Sequence, residues 1–415
     1  MLLGHGRADI TPTEPFYLLG YKTPLRNMPA KGIHDHIFIN GLLFHKDNGE
    51  NVFLATGDLL EIEDIVAADI RQKISSNFDI PFENIIIGVT HDHHSVRDYH
   101  RSWEFGKFSQ KYYDFFVDSF LKVYQQCLDS LEEVTAKYGD TMVIGYYGNR
   151  DHPGELSDNL VEVVKFYRGQ EAVAGIVNLA VHSTVLSAKN QYLTADLAGN
   201  LCTELAKSWG FYPVMLVGCA GDSSNHYQRR GRDWAELDRT VKGIAEIVAP
   251  VKTDRQLDLD HDQVQVVTLA QENVNDKEKY DAGLRQMIAD LKSGKKTEVG
   301  SQSVEHVIEK CEEQLKQPQF HDVIAMQLLD LGDLRFFIFP GELASAGAEI
   351  LRASTDKTVL IAGYANGFHY YFLRAEDYGL SFETIGNPVP AGTFEEIIAK
   401  FVRASQMLDC YEKNK

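Results

Sequence analysis

The sequence predicts a mixed α/β fold, with central mixed β-sheets flanked by helices and an active site at strand ends. Three observations carry this. Short apolar runs alternate with amphipathic helical stretches along most of the chain. Many of the runs are β-branched and continuous rather than alternating, as expected where both faces of a sheet are covered. Several of them lead directly into turns of polar or small residues, the place where an α/β sheet presents side chains to a cleft.

In chain order, strands are expected at Ile37–Phe44, Asn51–Ala55, Asn84–Val89, Met142–Tyr147, Val161–Tyr167, Gly175–Ala180, Pro213–Val217, Val264–Ala270, Ile324–Asp330, Leu334–Phe339 and Thr358–Ala362. Helices are expected at Glu63–Phe78, Gln110–Glu133, Asp196–Trp209, Asp233–Val248, Asp281–Lys292, Ser303–Lys316, Glu342–Ser354 and Thr393–Met407. Thr194-Ala-Asp196 has the composition of a helix start, with Thr194 or Asp196 as N-cap. Residues 273–318 stand apart as two polar helices joined by Ser293-Gly-Lys-Lys-Thr-Glu-Val-Gly-Ser301, with no strand between them. They form a helical-hairpin insertion, either a lid or packing arm or a solvated helix pair. No internal repeat, low-complexity tract or Pro/Ser-rich linker interrupts the chain. The expectation is therefore a single domain, 1–415, with 273–318 inserted in it.

Composition narrows the function. Sixty acidic side chains against 41 basic ones give a formal net charge of −19, so no basic footprint for nucleic acid is expected. The longest uncharged stretch, Ala172–Ala188, is interrupted by Asn178, His182, Ser183 and Thr184, which leaves no transmembrane segment. The N-terminus lacks a basic region followed by an apolar core and a cleavage site, and a cytoplasmic location is expected. Five scattered cysteines without CxxC spacing point to reduced, mostly buried thiols. A homo-oligomer is compatible with all of this.

Five segments carry chemistry. Thr90-His91-Asp92-His93-His94-Ser95 follows an apolar strand; in an extended segment His91 and His93 face one cavity and Asp92 the other way. HxH at a strand end is a recurrent zinc-ligand arrangement, or else a polar turn. His182 ends a second apolar strand, as a ligand or as a satisfied core histidine; Asp196 supports a ligand histidine from behind or is only a helix cap. Gly218, Gly221, Asp222, Ser223, Ser224 and Asn225 form a small polar turn able to hold an oxyanion or carbonyl. Glu342 in Pro340-Gly-Glu342 is a ligand or a first-turn helix acid. The aromatic cluster Gly363–Tyr371 is a pocket wall. Together the segments outline one rim of a sheet. His, His, a carboxylate and a phenol converging there would suit zinc with an open position for water.

As an ordered set these motifs resemble the catalytic domain of the neutral/alkaline (non-lysosomal) ceramidases, zinc amidases that split N-acyl-sphingosine. Gly4-His-Gly-Arg-Ala-Asp-Ile-Thr-Pro12, followed by Gly20-Tyr21 and Gly32-Ile-His-Asp35, is similar to the family's GxGRADIT start. Thr90-His91-Asp92-His93 resembles its THTHS motif and Val177–His182 its VNWFAVHP segment. Gly221-Asp-Ser-Ser224 resembles GDVS, Pro340-Gly-Glu342 resembles PGE, and Asn366–Tyr371 resembles NxYxxY. The resemblance implies that His91, His182, Glu342 and Tyr371 ligate zinc (Zn2+). It places His93 near the attacking water, Arg150 of Gly148-Asn-Arg150 on the active site, and Ser224 in a catalytic or substrate-orienting role. Asp222, Asn225 and Phe368 are expected to contact substrate, Phe368 standing where the family has a tyrosine.

The chain departs from the family in His94-Ser-Val-Arg-Asp-Tyr-His100 after the HxH, in Asn225-His226 after Ser224, and in an expected lack of the C-terminal immunoglobulin-like domain. The resulting expectation is a zinc-dependent hydrolase cleaving an N-acyl amide by a metal-activated water, on a small-molecule or lipid-amide substrate. Two alternatives stay open: the same scaffold acting on a soluble ester, lactone or sugar derivative, and a non-catalytic binding protein.

Overall fold

The chain runs through the same order of elements three times. In the computed structural model, which describes residues 1–13, 15–296, 303–381 and 383–413, strands Leu2–Asp9, Phe38–His45 and Asn51–Gly57 pair antiparallel. Helix Asp64–Phe78 then crosses over, strand Ile85–Val89 adds parallel to the third strand, and helix Gln110–Asp129 follows. The second pass uses strands Thr135–Met142, Leu160–Arg168 and Glu171–Leu179, helix Asp196–Trp209, parallel strand Val214–Val217 and helix Trp234–Val248. The third uses Gln265–Val274, His321–Leu331 and Leu334–Ile338, helix Ala346–Arg352, parallel strand Thr358–Ala362 and helix Thr393–Lys413. Short strands Glu132–Glu133 and Arg255–Leu257 extend the first and second sheets. No repeat was expected from the sequence, and the recurrence is one of topology. Burial asks each position only for an apolar side chain of workable size, so the passes share a pattern without sharing residues.

Alternation along each strand decides the layers. Leu42, Phe44, Leu54 and Ile86 point one way and join Phe166, Ile176, Leu216, Phe336, Ile338 and Leu360 in a core shared by all three sheets. Their neighbours Leu43, Phe53, Ala55, Ile85 and Ile87 point the other way, under Ile70, Phe116 and Phe120 of the first helix pair. The second sheet lies under Leu197, Leu201 and Ile244, and the third under Leu351, Ile397 and Phe401. Both faces of every sheet are therefore covered, which accounts for the continuous apolar runs.

The three parallel edge strands meet at the centre. Gly363 N donates to Val217 O (2.8 Å) and Asn366 N to Ile87 O (2.8 Å). Buried Asn178 ties the second sheet to the third: its Nδ2 donates to Leu216 O at 3.1 Å and Ile361 O at 3.0 Å, and its Oδ1 accepts from Ile361 N at 2.8 Å. The rim expected from one sheet is thus built by three. Because the second strand of each pass runs antiparallel to the third, the connection from first to second strand leaves at this same rim. Those connections are 10–37, 143–159 and 275–320. The last holds helices Lys277–Lys292 and Val304–Gln314, which pack through Leu284, Leu291, Val307 and Cys311 onto Ile385. Residues 297–301 of the expected linker between them lie outside the described residues.

Several element boundaries differ from expectation. Residues 143–147 are not a strand: the strand ends at Met142, and the chain turns at Gly145 with φ 87°. The helix from Gln110 stops at Asp129, and Glu132–Glu133 pairs with Leu2–Leu3. Glu342 lies outside the helix expected from it, which spans only Ala346–Arg352. Strands Leu2–Asp9 and Thr135–Met142 were not anticipated. All five cysteines are free, four of them buried, and among the described residues no helix is long and apolar enough to cross a membrane.

Replacing Asn178 by Ala strands buried backbone groups of two sheets, at about 1–3 kcal/mol for each buried partner left unsatisfied. Urea unfolding of Asn178→Ala is expected to show a loss of about 3 kcal/mol. The exposed-surface control Asn77→Ala should stay within about 0.5 kcal/mol of the parent.

Candidate active site

The ends of the parallel strands deliver the expected residues to one point, one sheet at a time. His91 follows Ile85–Val89 of the first sheet, His182 follows Glu171–Leu179 of the second, and Glu342 follows Leu334–Ile338 of the third. Glu342 and Leu343 form a short parallel ladder with Tyr371 and Phe372, which sets Glu342 beside Tyr371. Tyr371, not Tyr370, faces the cluster: its hydroxyl is 3.4 Å from His182 Nε2, whereas Tyr370 is exposed.

His91 and His93 come together by a route other than strand alternation. His91 has φ 54°, in the left-handed region that a β-carbon disfavours, so the chain kinks between the strand and the turn. The kink brings the two Nε2 atoms to 3.1 Å with the rings nearly perpendicular. Asp92, which alternation would send to the opposite side, is fully buried and accepts from His94 N at 2.9 Å. Tyr364 shares the strain, with φ 54° after Thr358–Ala362, and its hydroxyl donates to Glu342 Oε2 at 3.1 Å.

Tautomers follow from the outer partners. His91 Nδ1 faces Leu60 O at 2.9 Å and His182 Nδ1 faces Ser223 O at 3.0 Å, so both Nδ1 atoms carry the proton. The two Nε2 atoms are then unprotonated acceptors, and they stand 3.6 Å and 3.0 Å from Glu342 Oε2. Burial keeps the imidazoles neutral: it pushes His91 down to about 3 and His182 well below the usual range. Burial also raises the Glu342 carboxyl, against the pull of His91 and Arg150. His91, less buried His93 and His182 have ligand nitrogens within 4.8 Å of one another, a group able to hold a metal ion.

Around this centre, the strand pair Ser223–Ser224 and Gly148–Asn149 joins the second-sheet loop to the loop of Arg150. Arg150 Nη2 donates to Gly221 O (2.7 Å), its Nε is 3.2 Å from Glu383 Oε1, and its guanidinium carbon lies 5.5 Å from the Tyr371 ring centre. Ser224 is buried one residue beyond the carbonyl that holds His182. Asn225 is fully buried, and among the described residues neither of its amide atoms has a hydrogen-bond partner. Phe368 lies 6.2 Å, ring to ring, from both His91 and Tyr364.

Asp222 and Asp196 differ from expectation. Both Asp222 oxygens are engaged internally, by Asn149 Nδ2 at 3.0 Å, Ser345 N at 2.7 Å and Ser345 Oγ at 2.9 Å, so it braces the turn rather than presenting a carboxylate to substrate. Asp196 accepts from Val185 N at 3.1 Å and Leu186 N at 3.3 Å and sits 3.6 Å from His94, not beside His182. Glu383 and Asp151, the carboxylates beside Arg150, were missed. Neither follows an apolar strand, and neither falls in a segment that carries the family resemblance. Gly221 is required by the approach of its loop to the third sheet: a Cβ there would lie 2.8 Å from Glu342 O and 2.9 Å from Leu343 O.

His369 anchors the loop between Tyr364 and Tyr371. Burial opposes its charge, but hydrogen bonds with Asp322 and Asp64 prevail and raise it to about 9. A folded-state pKa above the unfolded value of about 6.5 stabilises fully below pH ~6.5, and that contribution fades as pH rises through about 9. His369→Gln is accordingly expected to lower the thermal midpoint at pH 6 and to match the parent above pH ~9.5, read by circular-dichroism melts across that range. Gly221→Ala should lower stability by about 1–3 kcal/mol at all pH values, since its cause is steric.

No protein-family model matches the chain, and no curated protein matches it in sequence. Solved structures do match. One is neutral ceramidase from Pseudomonas aeruginosa, with TM-score 0.73 and 18% identity over 98% of this chain and 74% of that one. Another is a ceramidase complexed with C2, with TM-score 0.73 and 17% identity over 98% of this chain and 75% of that one. The chain therefore has the fold of these ceramidase structures, a mixed α/β architecture that comprises, among the described residues, three sheets of four or five strands, three two-stranded ladders and eight α-helices.

Proposed function

We propose that the chain is a zinc-dependent hydrolase of the neutral ceramidase type, cleaving an N-acyl amide bond. One observation carries the reading. The Nε2 atoms of His182 and His91, left without a proton by the tautomers their Nδ1 partners select, face a carboxylate oxygen at 3.0 and 3.6 Å. Three acceptors so placed repel one another unless a proton or a cation joins them, and a cation can meet all three at once. Neutral imidazoles with a carboxylate and a phenol make a nitrogen and oxygen donor set suited to zinc.

His91, His182, Glu342 and Tyr371 would hold the ion. Once bound it would act as a Lewis acid, lowering the pKa of water and polarising the scissile carbonyl. The chain's own groups do the rest. His93, neutral by burial and 3.1 Å from His91 Nε2, takes a proton from the attacking water and returns it to the leaving amine. Arg150, kept charged by Glu383, stabilises the oxyanion of the tetrahedral adduct. Ser224 and the unpartnered Asn225 amide orient the substrate carbonyl, and Phe368 forms an apolar wall beside it. The site draws on all three sheets, so residues 1–415 act as one catalytic unit, with 273–318 inserted at its rim.

Metal analysis of the purified protein should give one zinc per chain, lost in His91→Ala and Glu342→Ala. Amide turnover should disappear with it. His93→Ala should retain zinc and lower kcat by about 10²–10⁴-fold. A protein without stoichiometric metal would defeat the reading. Turnover of esters, lactones or sugar derivatives but no N-acyl amide would keep the scaffold's chemistry and exclude the amidase.

A further inference from the structure

Beyond Ser224 the chain makes a tight turn. Gln228 N and Arg229 N both bond to Asn225 O, at 3.1 Å and 2.9 Å. His226 N donates to Ser224 Oγ at 3.1 Å, and Arg229 Nη2 donates to His226 Nδ1 at 3.0 Å. The Arg229 guanidinium thus bonds to the imidazole of His226, whose backbone N–H bonds to the Ser224 hydroxyl. Arg232 lies on the same turn. Both arginines are close enough to buried Tyr21 to oppose the rise that burial imposes on it. The Tyr21 ring is in turn 5.1 Å from His93 and 5.3 Å from His94.

Charge accounting makes this pair unusual. Arg150 faces Glu383, but neither Arg229 nor Arg232 has an ion pair among the described residues. Glu236, the carboxylate that acts on Arg229, is already engaged by Arg239 at 2.9 Å from Nε and 2.6 Å from Nη2. Arg229 and Arg232 repel each other, and Arg229 is partly desolvated as well. Two guanidinium groups without an ion pair among the described residues therefore lie beside the Ser224 loop and Tyr21, in a chain whose net charge is −19. Such an arrangement gains by taking up an anion, above all one that guanidinium can meet with paired hydrogen bonds.

We propose that Arg229 and Arg232 bind an anionic group on the substrate, a carboxylate or sulfonate attached to one half of the N-acyl amide. The inference rests on the histidine cluster being a hydrolytic centre, and it moves the substrate class from neutral lipid amides to anionic N-acyl compounds. Arg150 remains for the oxyanion, since its own ion pair with Glu383 leaves it committed beside Tyr371.

The test compares charged and neutral isosteres with the zinc-loaded enzyme. N-hexanoyltaurine and N-hexanoylglycine against N-hexanoylethanolamine probe the amine side, and a succinyl monoamide against the butyryl amide probes the acyl side. In one arm the anion should be cleaved with a KM roughly 10-fold or more below that of its neutral partner, and the gap should shrink with added salt. The double variant Arg229→Gln, Arg232→Gln should erase the gap. The exposed single variant Arg232→Gln, which leaves the His226 hydrogen bond in place, should narrow it, while the remote control Arg403→Gln should not. Equal KM values in both arms, or a gap that survives in the double variant, overturn the inference and leave the hydrolase standing. Binding is read separately by calorimetry of N-hexanoyltaurine and succinamate on the His93→Ala protein. Affinity lost when Arg229→Gln and Arg232→Gln are added to His93→Ala, with no turnover of any substrate by the parent, would keep the anion site and defeat the hydrolase reading instead.

Discussion

Two imidazole nitrogens and a carboxylate oxygen are held against one another in a buried space, and the rest of the chain is arranged to make that possible. Left alone, such groups would move apart or bind protons. They cannot move, because each is fixed from behind: His91 by Leu60 O, His182 by Ser223 O, and Glu342 by the Tyr364 hydroxyl and its ladder with Tyr371. Nor do the imidazoles take up protons readily, because burial disfavours the charged form. Orientation by carbonyls and a phenol behind the ligand atoms is the usual means of presetting a metal-binding geometry.

The threefold recurrence supplies the positions. One sheet offers adjacent parallel strand ends, and its helices cover both crossover and edge. Three such sheets sharing a core bring three sets of strand ends to one point, with Asn178 and the backbone bonds of Gly363 and Asn366 closing the gaps between them. The same topology sends three long connections to that rim. They are free to diverge, since none is needed for the shared core. One carries Tyr21 and Arg26, one Arg150 and Asp151, and one the helix pair that packs on Ile385. The residues converging at the strand ends and the variable connections around them are thereby separated.

Charge is distributed on the same principle. Close to the centre, Arg150 is balanced by Glu383, while burial and Glu383 push the neighbouring Asp151 carboxyl upward. Farther out, along the turn after Ser224, Arg229 and Arg232 have no ion pair among the described residues. The overall excess of acidic residues therefore says little about the mouth of the site, where a handful of side chains sets the local field.

Much of the site was legible from order along the chain. His91, His93, His182, Ser224 and Glu342 each follow an apolar run, and the type and succession of these segments are local properties that one sequence displays. The mixed α/β class and most helix positions are local in the same sense, because periodicity and caps depend on neighbouring residues. What lay beyond the sequence depends on contacts between distant segments. Nothing local distinguishes one rim from three, ties Glu342 to Tyr371 rather than Tyr370, or turns Asp222 inward to Asn149 and Ser345. Glu383 gains its role only by meeting Arg150 across more than half the chain. The sequence by itself determined which chemical groups are available and that strand ends carry them. Tertiary structure alone decided which of them meet and with which proton, because burial and partner distance set both.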